Sequence, residues 1–361
     1  MSAALLAVSL GCPSGIGPEV SVRAAARVKG ARVVLVGDQG VVERAARVSG
    51  LDPTRFVRVR GADEARALAR GITAVLQPGV RLALRDARPG APSVAGGAAQ
   101  LSWIDAACDL VRRGEASALV TGPVSKEVIA RSGTREAKRF LGHTEHLQRR
   151  LGAREVVMAF HTARFTTSLV TTHLPLARVP AAITPANVAA ATFWLAELLQ
   201  RLGKPGSRPR VAVASLNPHA GEGGLLGSEE SRAILPGIVL ARARAVRSHV
   251  ACELIGPVPA ETAFRKAAAG DYDGVVAMYH DQATIPMKLV GFGEAVNVSL
   301  GLPIIRTSVD HGTGYDIAGK GVADPRGMLE AMTLATRLSA REGRRTPETA
   351  SRRGRSRTRS R

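Results

Sequence analysis

The 361-residue sequence predicts an α/β protein with a mostly parallel sheet, arranged as two domains or two lobes. Two observations carry the fold class. Short apolar strands alternate with helix-like stretches through the first half, the pattern of strand–helix–strand units. Three later apolar strands each run into a histidine: 168–172 into His173, 211–216 into His219 after Asn217-Pro218, and 274–279 into His280. Ligands of open α/β sheets bind just outside the carboxyl ends of strands.

Taken in order, 5–10 reads as a strand and leads into Gly11-Cys12-Pro13-Ser14-Gly15-Ile16-Gly17-Pro18-Glu19. A helix-like stretch covers 20–28, and 32–36 is a second strand ended by Gly37-Asp38. Residues 80–98, rich in Pro, Gly, Arg and Ala, read as a loop or irregular arm. Another strand, 117–120, ends at Thr121-Gly122-Pro123. Thr184-Pro185 opens a helix, with an N-cap followed by proline at the first helical position. Val188, Thr192, Leu195, Leu198, Leu199 and Leu202 form its apolar face, and Gly203 ends it. A helix over 228–241 is expected to kink near Pro236. No internal repeat is evident.

Apolar residues make up 45% of the chain, as in ordinary globular proteins. Aromatic residues make up only 3%, so the core must rest on Ala, Val, Leu and Ile. No apolar run approaches the roughly 18 residues that span a bilayer. Residues 1–10 lack the basic start of a signal peptide, so a cytoplasmic location is expected. Cys12, Cys108 and Cys252 show no paired spacing, which fits a reduced compartment. The formal charge is +20, but only seven of the 50 basic residues are lysine and the arginines are spread along the chain. Nine arginines and two glutamates fall in 341–361, a tail read as disordered because it has almost nothing apolar to bury. The remaining positive charge suits anionic small molecules and does not require nucleic acid.

A lone histidine after a strand is more often structural than ligating. Three in the same topological position raise the prospect of one divalent ion held by His173, His219 and His280. Neutral imidazoles suit zinc, cobalt, nickel or iron better than magnesium, and three protein ligands leave positions open for substrate. Asp281, beside His280, is either a partner of that imidazole or a turn residue. Phe140-Leu141-Gly142-His143-Thr144-Glu145-His146 places a glycine turn and polar groups before a helix-like run, where backbone N–H groups can hold an anion. Lys288, Asn297 and Arg306 lie downstream, and an ammonium with a forked guanidinium suits phosphate or carboxylate. Residues 310–321, a glycine-rich polar turn, can be read as a nucleotide contact or a structural loop. No GxGxxG follows the first strand with an acidic residue about 20 positions on, which disfavours a standard dinucleotide-binding domain.

Several strings stand together from residue 11 to about 330: GCPSGIGPEV, VTGPVSK, FLGHTEHL, TTHLPL, NPHAGEGGLLGSEE, GPVPAET, MYHDQATIPMK, GFGEAVNVSLGLPIIRTSVDHGTGYDIAGKG and ADPRGM. In this order they resemble the 4-hydroxythreonine-4-phosphate dehydrogenase family of pyridoxine (vitamin B6) biosynthesis. The resemblance implies a two-domain fold like that of isocitrate and isopropylmalate dehydrogenases. Residues 1–135 and 306–340 would form the nucleotide side and 136–305 the substrate and metal side. It implies a homodimer with the site at the interface and one metal histidine supplied by the partner subunit.

The family's metal ligands match His173, His219 and His280, with zinc expected and cobalt or magnesium as alternatives. Its substrate contacts match His143, Thr144, Lys288, Asn297 and Arg306, and Glu261 stands where its aspartate is common. The turn with His311, Gly312, Thr313 and Asp316 matches the part that meets the adenosine of NAD or NADP. The implied reaction oxidises 4-phosphohydroxy-L-threonine to 2-amino-3-oxo-4-phosphooxybutanoate, which loses carbon dioxide to give 3-amino-2-oxopropyl phosphate. The general base stays open between water and Lys126. Cys12 in place of aspartate and Gly314 in place of alanine are departures that remove no metal ligand. The alternatives are a dehydrogenase of D-threonate or D-erythronate 4-phosphate, a nucleic-acid-binding protein using the tail, and a metal hydrolase.

Overall fold

The computed structural model describes residues 3–291 and 293–342, so most of the arginine-rich tail lies outside the described residues. Twelve strands among them form one continuous sheet: β1 Ala4–Ser9, β2 Ala31–Val36, β3 Phe56–Val59, β4 Thr73–Leu76, β5 Ala118–Thr121, β6 Val157–His161, β7 Thr166–Leu169, β8 Arg210–Ala214, β9 Glu253–Val258, β10 Gly274–Ala277, β11 Val296–Leu300 and β12 Arg306–Val309. Their spatial order is β3-β4-β2-β1-β5-β12-β11-β6-β7-β10-β8-β9. The two wings are parallel. Only around the centre does polarity alternate, because β11 runs antiparallel to both β12 and β6, and β6 runs antiparallel to β7.

The mostly parallel α/β architecture expected from the alternating pattern is therefore present. Strands of the parallel wings are apolar and buried through most of their length, as in β1, β2 and β10. Helices Val94–Arg112, Pro185–Leu202 and Arg326–Glu342 supply much of the covering layer. The core is rich in Ala, Val, Leu and Ile, as a chain poor in aromatics requires. Among the described residues no single helix is long and apolar enough to cross a membrane.

Local signals explain most boundaries. Thr184 caps the helix Pro185–Leu202, its side chain accepting the Asn187 N–H at 3.2 Å, and Gly203 closes it. The first helix is Gly17–Ala25 rather than 20–28, because Pro18 is accommodated in its opening turn. The arm expected over 80–98 is corrected. A 3₁₀ turn occupies Leu84–Ala87, and a 19-residue helix starts at Val94 under a Ser93 cap. Its Gly96-Gly97 pair reads as a breaker, yet a Cβ on Gly97 would lie 2.1 Å from the Val128 carbonyl oxygen. That glycine allows close approach of helix Lys126–Arg131. Over 228–241 the helix expected from the sequence is divided into a π-turn, Glu230–Ile234, and a helix Leu235–Arg247 that takes Pro236 in its first turn. The histidine strands end earlier than their apolar runs, at Leu169, Ala214 and Ala277, so His173, His219 and His280 stand on the segments beyond.

Candidate active site

Period-two alternation turns part of the central sheet into a polar floor. On β12, Arg306 and Ser308 face a cavity of about 190 Å³. The Thr307 hydroxyl instead donates to the Ala331 carbonyl of the covering helix at 2.9 Å. Asn297 on β11, Met158 on β6 and Thr121 on β5 line the same cavity. The segments beyond β5, β7 and β12 add Lys126, His173, His311 and Gly312, and the turn opening helix His143–Leu151 adds His143, Thr144 and Glu145. The cavity thus combines segments beyond strand carboxyl ends with side chains standing on the sheet itself.

Arg306 is the electrostatic centre. It is 3% exposed, and its guanidinium donates to the hydroxyls of Ser299 at 2.9 Å and Thr121 at 2.7 Å. Neither partner is a carboxylate. Burial pushes its pKa down to about 10, partly offset by the charge of Glu145. Three buried polar atoms of cavity residues have no hydrogen-bond partner among the described residues: Arg306 Nε, Asn297 Oδ1 and His143 Nε2. Buried polar atoms are rarely left unpaired, and three around one cavity mark a place for a polar ligand. Burial, followed by the charge of Arg306, holds the His143 pKa well below its ordinary value, so the ring is neutral.

The candidate metal ligands divide two and one. The His173 and His280 ring centroids lie 5.5 Å apart. Two imidazoles sharing a tetrahedral ion with Zn–N bonds of about 2.0–2.1 Å would have centroids roughly 5 Å apart, so this pair fits one ion. His280 Nδ1 meets Asp281 Oδ1 at 2.7 Å, leaving Nε2 for a metal. Burial, then the charges of Lys126 and His280, lower the His173 pKa and favour the neutral form that a metal needs. His219 is exposed on a separate loop. Among the described residues of one chain, no group of three metal-capable side chains forms.

The other sequence candidates lie further out. Lys288, on helix His280–Gly291, is exposed and does not line the cavity. It contributes, with His280 and His311, to the field on Asp310, whose pKa is raised by burial and partly lowered again by those neighbours. Glu261 sits exposed in the first turn of helix Ala260–Ala269, outside the cavity.

Thr313 faces the first glycine-rich loop, its carbonyl accepting the Ile16 N–H at 2.8 Å, while Asp316 is exposed. A Cβ on Gly15 would lie 2.6 Å from that carbonyl oxygen, so the contact requires glycine. Glu19, 3% exposed, accepts the backbone N–H of Gly319 at 2.6 Å and of Gly321 at 2.9 Å. Cys12 Sγ lies 3.4 Å from the Tyr315 hydroxyl, whose pKa is pushed up to about 12 by burial and by Cys12.

Sequence reasoning missed Glu19, Glu145, Ser299 and Thr121 as site-building residues. Spacing carried no signal for the hydroxyls, whereas GPE and HTE were visible strings. A further cavity of about 710 Å³ lies at the amino ends of β2, β3 and β4 and holds none of the candidates. Its arginines 32, 55 and 66 already donate to backbone carbonyls.

Comparison with known proteins fits this arrangement. The family model of the pyridoxal phosphate biosynthetic protein PdxA matches residues 29–335. A 4-hydroxythreonine-4-phosphate dehydrogenase from Desulfosudis oleivorans is 41% identical over 345 residues, 94% of this chain and 98% of the relative. A Bradyrhizobium diazoefficiens protein, provisionally named D-threonate 4-phosphate dehydrogenase, is 37% identical over 94% of this chain and 98% of its own length. The solved 4-hydroxythreonine-4-phosphate dehydrogenase of Klebsiella pneumoniae superposes with a TM-score of 0.78 at 33% identity, covering 94% of this chain and 100% of that structure. The motif order, the fold and these matches over nearly the whole chain lead to one conclusion: this chain belongs to the PdxA family of pyridoxal phosphate biosynthetic proteins.

Proposed function

We propose that the chain oxidises 4-phosphohydroxy-L-threonine to 2-amino-3-oxo-4-phosphooxybutanoate with NAD or NADP, and that decarboxylation to 3-amino-2-oxopropyl phosphate follows. The observation that carries the reading is the buried Arg306 guanidinium, paired only with hydroxyls, at a cavity with three unpartnered polar atoms. An anionic, polyhydroxylated or amino-substituted small molecule supplies what those atoms lack. The names of the relatives supply the particular substrate.

When bound, a divalent ion lowers the pKa of the reacting hydroxyl and a nicotinamide accepts hydride. His173 and His280 would hold the ion, zinc by the donor set, with His219 contributed across a homodimer interface. Arg306, Asn297, His143 and Thr144 would bind and orient the anionic groups, with Lys288, which does not line the single-chain cavity, acting from outside it. Lys126 stands on the cavity wall as the candidate to take the hydroxyl proton. The turn 311–316 would meet the adenosine part of the cofactor, and Glu261 would act from outside the single-chain cavity. The nucleotide side would comprise 1–135 and 306–340, and the substrate side 136–305.

The test is formation of reduced cofactor by zinc-loaded protein offered 4-phosphohydroxy-L-threonine and D-erythronate 4-phosphate side by side. Turnover of the threonine compound supports the proposal. Preference for the sugar acid would move the enzyme to sugar-acid catabolism and leave the site chemistry intact.

A further inference from the structure

The loop that carries His219 adopts a backbone state that residues with a Cβ seldom choose. His219, Ala220, Gly221, Glu222 and Gly223 have φ of 53°, 55°, 81°, 45° and 66°, a consecutive left-handed run. Only glycine adopts that conformation freely. Contacts outside the run are needed to hold it, and the residues just before it, Leu216 and Asn217, are anchored by a buried carboxylate.

Glu230, 5% exposed, reaches back to the start of the loop. Its Oε1 accepts the Leu216 N–H at 2.9 Å and the Asn217 N–H at 2.8 Å, and its Oε2 accepts from Asn217 Nδ2 at 2.9 Å. Glu229 Oε2 accepts from the same amide at 2.8 Å. A Cβ on Gly221 would lie 2.9 Å from Glu230 Oε2, so the loop closes tightly over this carboxylate. Glu230 opens the π-turn Glu230–Ile234, an element that recurs at functional sites. A second tie joins this loop's stem to the segment with His280. Gln282 accepts the Met278 N–H at 2.7 Å and donates to the Ser215 carbonyl at 2.9 Å.

We propose that Glu230 is a positioning residue for the metal centre, fixing the left-handed loop so that His219 is presented in one orientation to a divalent cation. The proposal rests on the reading of His219 as a metal ligand. Glu230 does not itself ligate the metal. It acts through Asn217 and the backbone of Leu216 and Asn217, as outer groups orient the ligands of other metal sites.

The full chain is tested as Glu230→Gln and His219→Ala. Zinc affinity is measured by competition with a chelator, NADH binding by fluorescence, and amide exchange at Leu216 and Asn217 by mass spectrometry. Glu230→Gln should weaken zinc binding by roughly tenfold to a hundredfold and speed exchange at both amides. NADH binding should hold, and turnover should recover as free zinc is raised. Unchanged zinc affinity overturns the proposal, as does a parallel loss of zinc and NADH binding, which marks a general structural defect. If His219→Ala keeps parental zinc affinity, the metal reading is at fault and the positioning role falls with it. If Glu230→Gln fails to fold, Asn217→Ser removes the side-chain ties alone and must still lower zinc affinity.

Discussion

The carboxylate of Glu19 receives the backbone N–H of Gly319 at 2.6 Å, joining residues 300 positions apart in the chain. One buried side chain thus fastens the last glycine-rich turn to the first. Replacing it with Ala leaves the N–H groups of Gly319 and Gly321 without their acceptor. We expect a loss of about 1–3 kcal/mol in unfolding free energy and weaker NAD(H) binding. Denaturant melts and NADH titrations check this. A variant with parental cofactor affinity would show that the turn needs no such fastening.

Arg306→Ala should raise the substrate KM with a smaller change in kcat, because the guanidinium grips ground state and transition state alike. Loss of charge-assisted hydrogen bonds worth about 1.5–3 kcal/mol corresponds to roughly a tenfold to hundredfold fall in kcat/KM. Steady-state kinetics with the phosphorylated substrate decide it. An unchanged KM removes Arg306 from anion binding.

Stability should fall as the solution is acidified below neutrality. Burial, with Arg337, pushes His161 down to about 4, and burial holds His143 well below its ordinary value. Both imidazoles are neutral when folded, yet each takes a proton in the unfolded chain below about pH 6.5. The unfolded state then binds more protons, so stability is fully present above that pH and declines as pH falls toward about 4. The slope should approach about 1.4 kcal/mol per pH unit for each histidine. Urea melts between these limits should show it, and His161→Gln should remove one proton's worth of slope.

His280→Ala should release bound metal and abolish nearly all turnover, with the fold retained. Metal content by atomic absorption and far-ultraviolet circular dichroism separate the two effects. Full activity in a metal-free protein would falsify the metal-centre assignment.

Much of this was legible in the chain. Apolar alternation exposed the α/β plan, and Thr184-Pro185 with Gly203 bracketed a helix that the structure reproduces as Pro185–Leu202. The strings around His143, Asn297 and Arg306 flagged residues that line one cavity. What stayed hidden depended on contacts between distant segments. Residues 80–98 read as a loop because nothing local reveals that Val128 packs against Gly97. Glu19 and Glu230 stood within quoted strings without an assigned role, because their partners are backbone amides brought near only by the fold. The lysine at 288 matched an anion-binding pattern by type, yet its helix leaves it exposed.

The alternation along β12 has a consequence for how such an enzyme can change. Neighbouring positions answer to different masters: Arg306 and Ser308 to the ligand, Thr307 to the helix behind. Substrate preference can drift by exchanging every second residue while the packing behind stays untouched. Inserting or deleting a single residue in that strand would bury the guanidinium in the core and turn core groups toward the substrate. A point substitution in a floor strand therefore alters the cavity lining and leaves the register intact, whereas a change of length in that strand disturbs both faces at once.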